Sequence, residues 1–117
     1  MPAFTPRRLP FFLLICAITY LSIAPAPEMP GPTLSDKVLH IIAYAGIAFW
    51  GYFGFPKGGI KLALFIVGWS ILIEFMQWLT PTRMLEVLDM VANTIGVFVG
   101  WGSYTLAAAI KRRFIQK

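Results

Sequence analysis

The sequence predicts an all-α fold: an integral membrane bundle of four transmembrane helices, both termini cytoplasmic, forming one domain over residues 1–117. Three observations lead there. Apolar residues fill 58% of the 117 positions and charged residues only 13%, against roughly 45–50% and about 25% in an average soluble domain. The apolar residues gather in four runs close to the length that crosses a bilayer. The Lys and Arg residues fall between those runs, densely in some segments and sparsely in others. With a mean hydropathy of +0.74, a soluble chain this small could not hide its apolar surface, because small domains bury the smaller fraction of theirs. An ordinary soluble enzyme, a disordered tail and a disulfide scaffold are excluded.

The first run covers about residues 9–24 and is short. It follows Arg7-Arg8 and ends at Ala24-Pro25-Ala26, an outline shared with signal peptides. Pro27 beyond the small residues disfavours cleavage, so the run is read as an uncleaved helix. The next segment, PAPEMPGPTLS, holds four prolines and one glycine and cannot continue a helix, since proline lacks the backbone donor. The second run, about 38–55, ends in the tight turn Phe55-Pro56-Lys57-Gly58-Gly59. The third, about 60–79, ends at Thr80-Pro81-Thr82-Arg83. The fourth covers about 87–110. Cys16 lies inside the first run with no second cysteine for a disulfide or a zinc site, and reads as a small apolar side chain.

Basic residues orient the bundle. With the N-terminus inside, Arg7, Arg8, Lys57, Lys61, Lys111, Arg112, Arg113 and Lys117 share one side, and only Lys37 and Arg83 the other. Such a bias places the basic side in the cytoplasm. It puts Glu28, Asp36, Glu74, Glu86, Asp89 and the single histidine, His40, in the outer half. Polar groups inside a bilayer are costly and normally face one another or a wet cavity. Helical spacing supports a shared face: Asp36, His40 and Tyr44 on the second helix, Ser70, Glu74 and Gln77 on the third, Asp89, Asn93, Gly96 and Gly100 on the fourth. The expectation is a polar pocket in the outer leaflet. Gly96-x-x-x-Gly100 would let another helix approach closely and is a candidate oligomer contact.

At these residues the chain resembles the VanZ-like family of small integral membrane proteins. The match is Asp36-Lys37-x-x-His40-x-x-x-Tyr44, then Glu74-x-x-Gln77, Arg83, and Asp89-x-x-x-Asn93-x-x-Gly96, covering roughly residues 35–100. Thr82 stands where the family often carries glycine. The resemblance implies a polytopic protein of the bacterial cytoplasmic membrane that works at the envelope surface. The family takes its name from a member linked to resistance to teicoplanin, a glycopeptide antibiotic. It brings no agreed biochemical activity.

The site residues carry two readings each. His40 and Asp36, one turn apart, form a candidate proton-transfer pair; alternatively Ser35 or Asp36 caps the start of the helix. Glu74 is a candidate catalytic or ligand-binding carboxylate, or a structural partner of Lys37, Arg83 or His40. Lys37, Tyr44, Gln77, Arg83, Asp89 and Asn93 are candidate ligand-binding residues. The Arg83 fork suits a phosphate or carboxylate, or the residue anchors the helix end. Asp89 either complements the helix dipole or pairs with Arg83. His40, Asp36, Glu74 and Asp89 would suit a hard divalent cation, but no H-E-x-x-H motif is present, and no metal or cofactor is expected. Ser35, Ser70 and Ser103 lack a motif that would activate them. No basic stripe points to nucleic acid.

Three functions fit these residues. The leading one is an envelope protein that binds or modifies a lipid-linked or cell-wall-related molecule, with the bilayer and an envelope lipid or glycolipid as partners. The second is a small proton-coupled transporter or channel. The third is a non-catalytic membrane scaffold. Catalysis stays open.

Overall fold

The computed structural model describes residues 5–23, 34–79 and 87–115, with the side chains of 34–36 left aside. The expectations for Glu28, Arg83 and Glu86, and for the side chain of Asp36, lie outside the described residues. Four α-helices account for nearly all of the rest: α1 (Leu9–Ile23), α2 (Leu34–Gly54), α3 (Gly59–Trp78) and α4 (Val87–Ile115). No strand occurs among the described residues. A single 3-10 turn, Pro6–Arg8, leads into α1, with Thr5 extended before it. Proline suits such a start, because the first donors of a helix have no partner anyway.

The helix bounds track the apolar runs, with two differences. α2 begins at Leu34, ahead of the run at 38, because the polar Ser35-Asp36-Lys37 stretch winds into its first turn. α4 continues past 110 through Lys111, Arg112 and Arg113 to Ile115. Basic residues are good helix formers and favourable at a C-terminus; polarity ends an apolar run without ending a helix.

The turn between α2 and α3 sits where Pro56, Gly58 and Gly59 predict it. Gly58 N–H donates to the Phe55 carbonyl at 2.9 Å, and Gly59 adopts a left-handed φ of +55°, which glycine reaches without a steric penalty. The Tyr52 hydroxyl donates to the Gly59 carbonyl at 2.5 Å and ties the turn to α2.

Cross-helix contacts fix the directions. Trp69 Nε1 donates to Thr19 Oγ1 at 2.8 Å and Gln77 Nε2 to the Ser22 carbonyl at 2.8 Å, so α1 and α3 run parallel. Arg7 Nε donates to the Phe53 carbonyl at 2.7 Å and Arg8 Nε to the Gly54 carbonyl at 3.1 Å, so the start of α1 meets the end of α2. α2 and α4 also run parallel and form the most extensive interface of the molecule.

The α2–α4 seam depends on Gly96 and Gly100. A Cβ on Gly96 would lie 2.5 Å from the Ile41 carbonyl oxygen, and one on Gly100 would collide with the carbonyl of Ala45. Only hydrogen at these positions lets the two backbones come so close. The close approach expected of the G-x-x-x-G stretch is therefore made within the chain, to α2. Below the seam, Phe11, Tyr44, Ile47, Ala48, Tyr52, Ala63, Ile66 and Val97 form the core.

Outside the core the molecule is apolar rather than polar. Leu13, Leu39, Leu64 and Leu88, one from each helix, are each at least 60% exposed. On a soluble protein so much exposed apolar surface marks an interface or an aggregation hazard. Two helical stretches, Pro6–Ile23 and Gly59–Trp78, are long and apolar enough to cross a membrane. In a bilayer, outward apolar side chains such as theirs would meet lipid at no desolvation cost.

Candidate functional site

The buried polar residues collect toward one end of the bundle, where α1 and α3 finish and α2 and α4 begin. Helix direction brings them there. Two parallel pairs running opposite ways place residues 37–44, 70–77 and 89–93 at a common level, although up to 55 positions separate bonded partners.

The centre of the cluster is Asp89, in the first turn of α4. Its Oδ1 accepts a hydrogen bond from Lys37 Nζ of α2 in an ion pair, with the two side chains 12% and 17% exposed. His40 Nε2 lies 3.8 Å from the other oxygen, Oδ2. One carboxylate thus faces two basic groups one turn apart on α2. The negative charge also suits the N-terminus of α4. Of the expected partners for Asp89, Arg83 lies outside the described residues, and Lys37 occupies the place beside it.

One turn further along α4, Asn93 is 2% exposed. Its Oδ1 accepts no hydrogen bond among the described residues. Asp89, Asn93 and Gly96 share one helix face, and Gly96 is packed on Ile41 and Tyr44, so Asn93 belongs to the α2 side of α4. Tyr44 is 3% exposed on the facing side of α2. On α3, Glu74 is 2% exposed. Gln77, one turn beyond Glu74, bonds the last turn of α1. Ser70, one turn before it, donates to the Val67 carbonyl at 2.7 Å, within its own helix.

The described members of the three expected stripes are therefore at one end and turned inward. Lys37, His40, Asp89 and Asn93 line the seam; Tyr44 and Glu74 are buried on α2 and α3; Gln77 secures α1. A fully buried carboxylate, a buried amide with a spare acceptor and an imidazole near a fixed carboxylate can bind a donor-rich group and pass a proton. Among the described residues no three His, Cys, Asp or Glu side chains stand close enough to hold a metal ion.

Several contacts have no counterpart in the sequence reading. Trp69 and Thr19 hold α1 to α3 through a side-chain bond, and Arg7 and Arg8 bond the last carbonyls of α2. Arg7 and Arg8 carry a signal in retrospect, since cations favour helix C-termini; Trp69 and Thr19 carry none. An open groove of about 510 Å³ on the outer face of α4, lined by Phe98, Trp101, Gly102, Thr105, Leu106 and Ala109, has no charged lining and lies away from the cluster.

Comparison with known proteins identifies a family and assigns no role to single residues. The VanZ/LLP1 family model matches residues 19–108, from the last third of α1 into the last third of α4. No curated protein and no solved structure matches the chain.

Proposed function

Since the chain belongs to the VanZ/LLP1 family, we propose that it is a four-span protein of the bacterial cytoplasmic membrane that binds, or modifies, a lipid-linked or other cell-envelope molecule at its polar end. Both termini are cytoplasmic in this reading, and the polar end opens outward. Their lengths support counting α2 and α4 as further spans: at 21 and 29 residues they measure about 31 and 44 Å, against a hydrocarbon core of about 30 Å.

The observation that carries the proposal is the confinement of buried Glu74, Asn93, Asp89 and Gln77 to one end of a bundle whose outside is apolar. Ionisable groups held at membrane depth are functional by default. Lys37 and His40 fix the Asp89 carboxylate; Tyr44, Glu74 and Asn93 face the interior, and a headgroup entering between α2, α3 and α4 meets them. Asp36 and Arg83 complete the set at the rim. In this reading teicoplanin susceptibility changes when the bound molecule belongs to cell-wall synthesis.

The test is mass spectrometry of lipids that copurify in native membrane discs with the wild type and with Glu74→Gln. The proposal expects one species enriched on the wild type and lost from an equally folded variant. The same bulk lipid on both would refute it. Proton or solute flux through the protein in liposomes would favour a transporter instead.

A further inference from the structure

The opposite end of the bundle, which the proposed ligand site does not use, carries a second arrangement. Arg7 and Arg8 are held rigidly there. Each donates its Nε to a terminal carbonyl of α2, and each guanidinium stacks over a ring: Arg7 Cζ lies 4.6 Å from the centroid of Phe53, Arg8 Cζ 4.3 Å from that of Phe55. The backbone itself is seated. A Cβ on Gly54 would lie 2.9 Å from Arg8 Cα, so glycine is what lets the start of α1 rest on the end of α2. The α2–α3 turn adds Lys57 and the first turn of α3 adds Lys61, both exposed.

α4 brings a third group of cations to the same level. Tyr104 stacks on Tyr52, which sets residue 106 level with the last residue of α2. Lys111–Arg113 then project about 8–10 Å past that level, and all three are exposed. Among the described residues no acid stands at this end. The side-chain N–H groups of Arg7 and Arg8 other than Nε meet no acceptor among the described residues, and each guanidinium is already held in place. That lowers the entropy lost on binding an anion, and the guanidinium fork matches a phosphate.

We infer that the corner formed by Arg7, Arg8, Lys57 and Lys61 is a binding site for the phosphate of an anionic phospholipid in the leaflet at the basic end. The apolar flanks of α1 and α2 receive the acyl chains, and Lys111–Arg113 strengthen the local positive potential. A lipid is the fitting source, because the cations ring the end of a bundle whose outer faces are apolar.

The experiment is native mass spectrometry of the full chain released from discs of equal phosphatidylglycerol and phosphatidylcholine. The wild type is expected to retain phosphatidylglycerol preferentially. The Lys57→Gln/Lys61→Gln variant leaves the α2 carbonyl bonds untouched, and should lose about fivefold of that preference per lysine removed. Arg7→Lys/Arg8→Lys keeps the charge but loses the fork, and should also lower it. Equal retention of the two lipids, an unchanged preference in both variants, or displacement of the bound lipid by millimolar inorganic phosphate would overturn the assignment. Because the four residues lie outside the polar cluster, this result is independent of the Glu74→Gln comparison.

Discussion

The seam between α2 and α4 and the seat of α1 are built on opposite principles. The seam is a close backbone contact: two glycines of α4 sit against carbonyls of α2, with the Lys37–Asp89 pair at its polar end. α1 comes so close only at its start, where Gly54 of α2 receives the backbone of Arg8. It is apolar on nearly every side, with Phe11 its one fully buried residue. Arg7, Arg8, Thr19 and the Ser22 carbonyl supply its polar attachments. In lipid, apolar surface gains little from leaving its surroundings, so helices associate through packing and hydrogen bonds. The seam uses both, whereas α1 relies on a few bonds at its ends and middle. Damage to the seam should therefore be severe, and damage to the seat of α1 graded.

The largest effect should come from Gly100→Leu, which forces side-chain atoms into the Ala45 carbonyl. Overpacking costs about 1–3 kcal/mol in a core whose side chains can yield, and here backbone must move, so little folded protein should accumulate. Gly102→Leu is the matched control: a Cβ there meets nothing within 4 Å. Its yield and melting temperature in detergent should equal the wild type. Equal behaviour of the two variants would break the contrast between the faces of α4.

A smaller effect follows from Lys37→Met, which leaves the Asp89 carboxylate without its ion-pair partner. Breaking a buried pair costs about 3–5 kcal/mol; partial exposure and the His40 imidazole 3.8 Å away bring the expectation to roughly 2 kcal/mol. The double change Lys37→Met/Asp89→Leu should recover most of it, giving a coupling energy measurable in a double-mutant cycle. Additive losses would remove the pair from the account of the seam.

The smallest effect belongs to α1. Trp69→Phe deletes the bond to Thr19 while keeping an aromatic ring, and should cost about 1 kcal/mol. Thermal melting should then show a lower midpoint with the folded yield unchanged. Wholesale loss of folded protein would mean that α1 is seated as tightly as α4.

The same contrast explains what could be read from the sequence. Helix positions were legible because long apolar runs broken by Pro56-Lys57-Gly58-Gly59 leave few alternatives. The inward stripes were legible because His40 and Tyr44, or Asp89 and Asn93, repeat with the helical period. That Gly96 and Gly100 permit a close neighbour was legible too. Which helix comes there was not, because spacing along one helix says nothing about its partner. Lys37 with Asp89 follows from parallel packing of two helices that are not adjacent in sequence. The Arg7 and Arg8 bonds to α2 carbonyls stayed hidden for a related reason: a backbone acceptor leaves no residue type to search for.

The central claim is that the polar cluster exists for a ligand and does not serve chiefly to hold the helices together. The melting temperature of Asn93→Leu, measured beside its copurified lipid, tests this most directly. Asn93 Oδ1 is buried and accepts no hydrogen bond among the described residues, a penalty of about 1–3 kcal/mol that a leucine, larger but of the same branched outline, removes. The account predicts an unchanged or higher melting temperature together with loss of the enriched lipid, stability and function moving in opposite directions. A clear fall in melting temperature with the lipid still bound would contradict it, and would make the cluster a lock on the bundle.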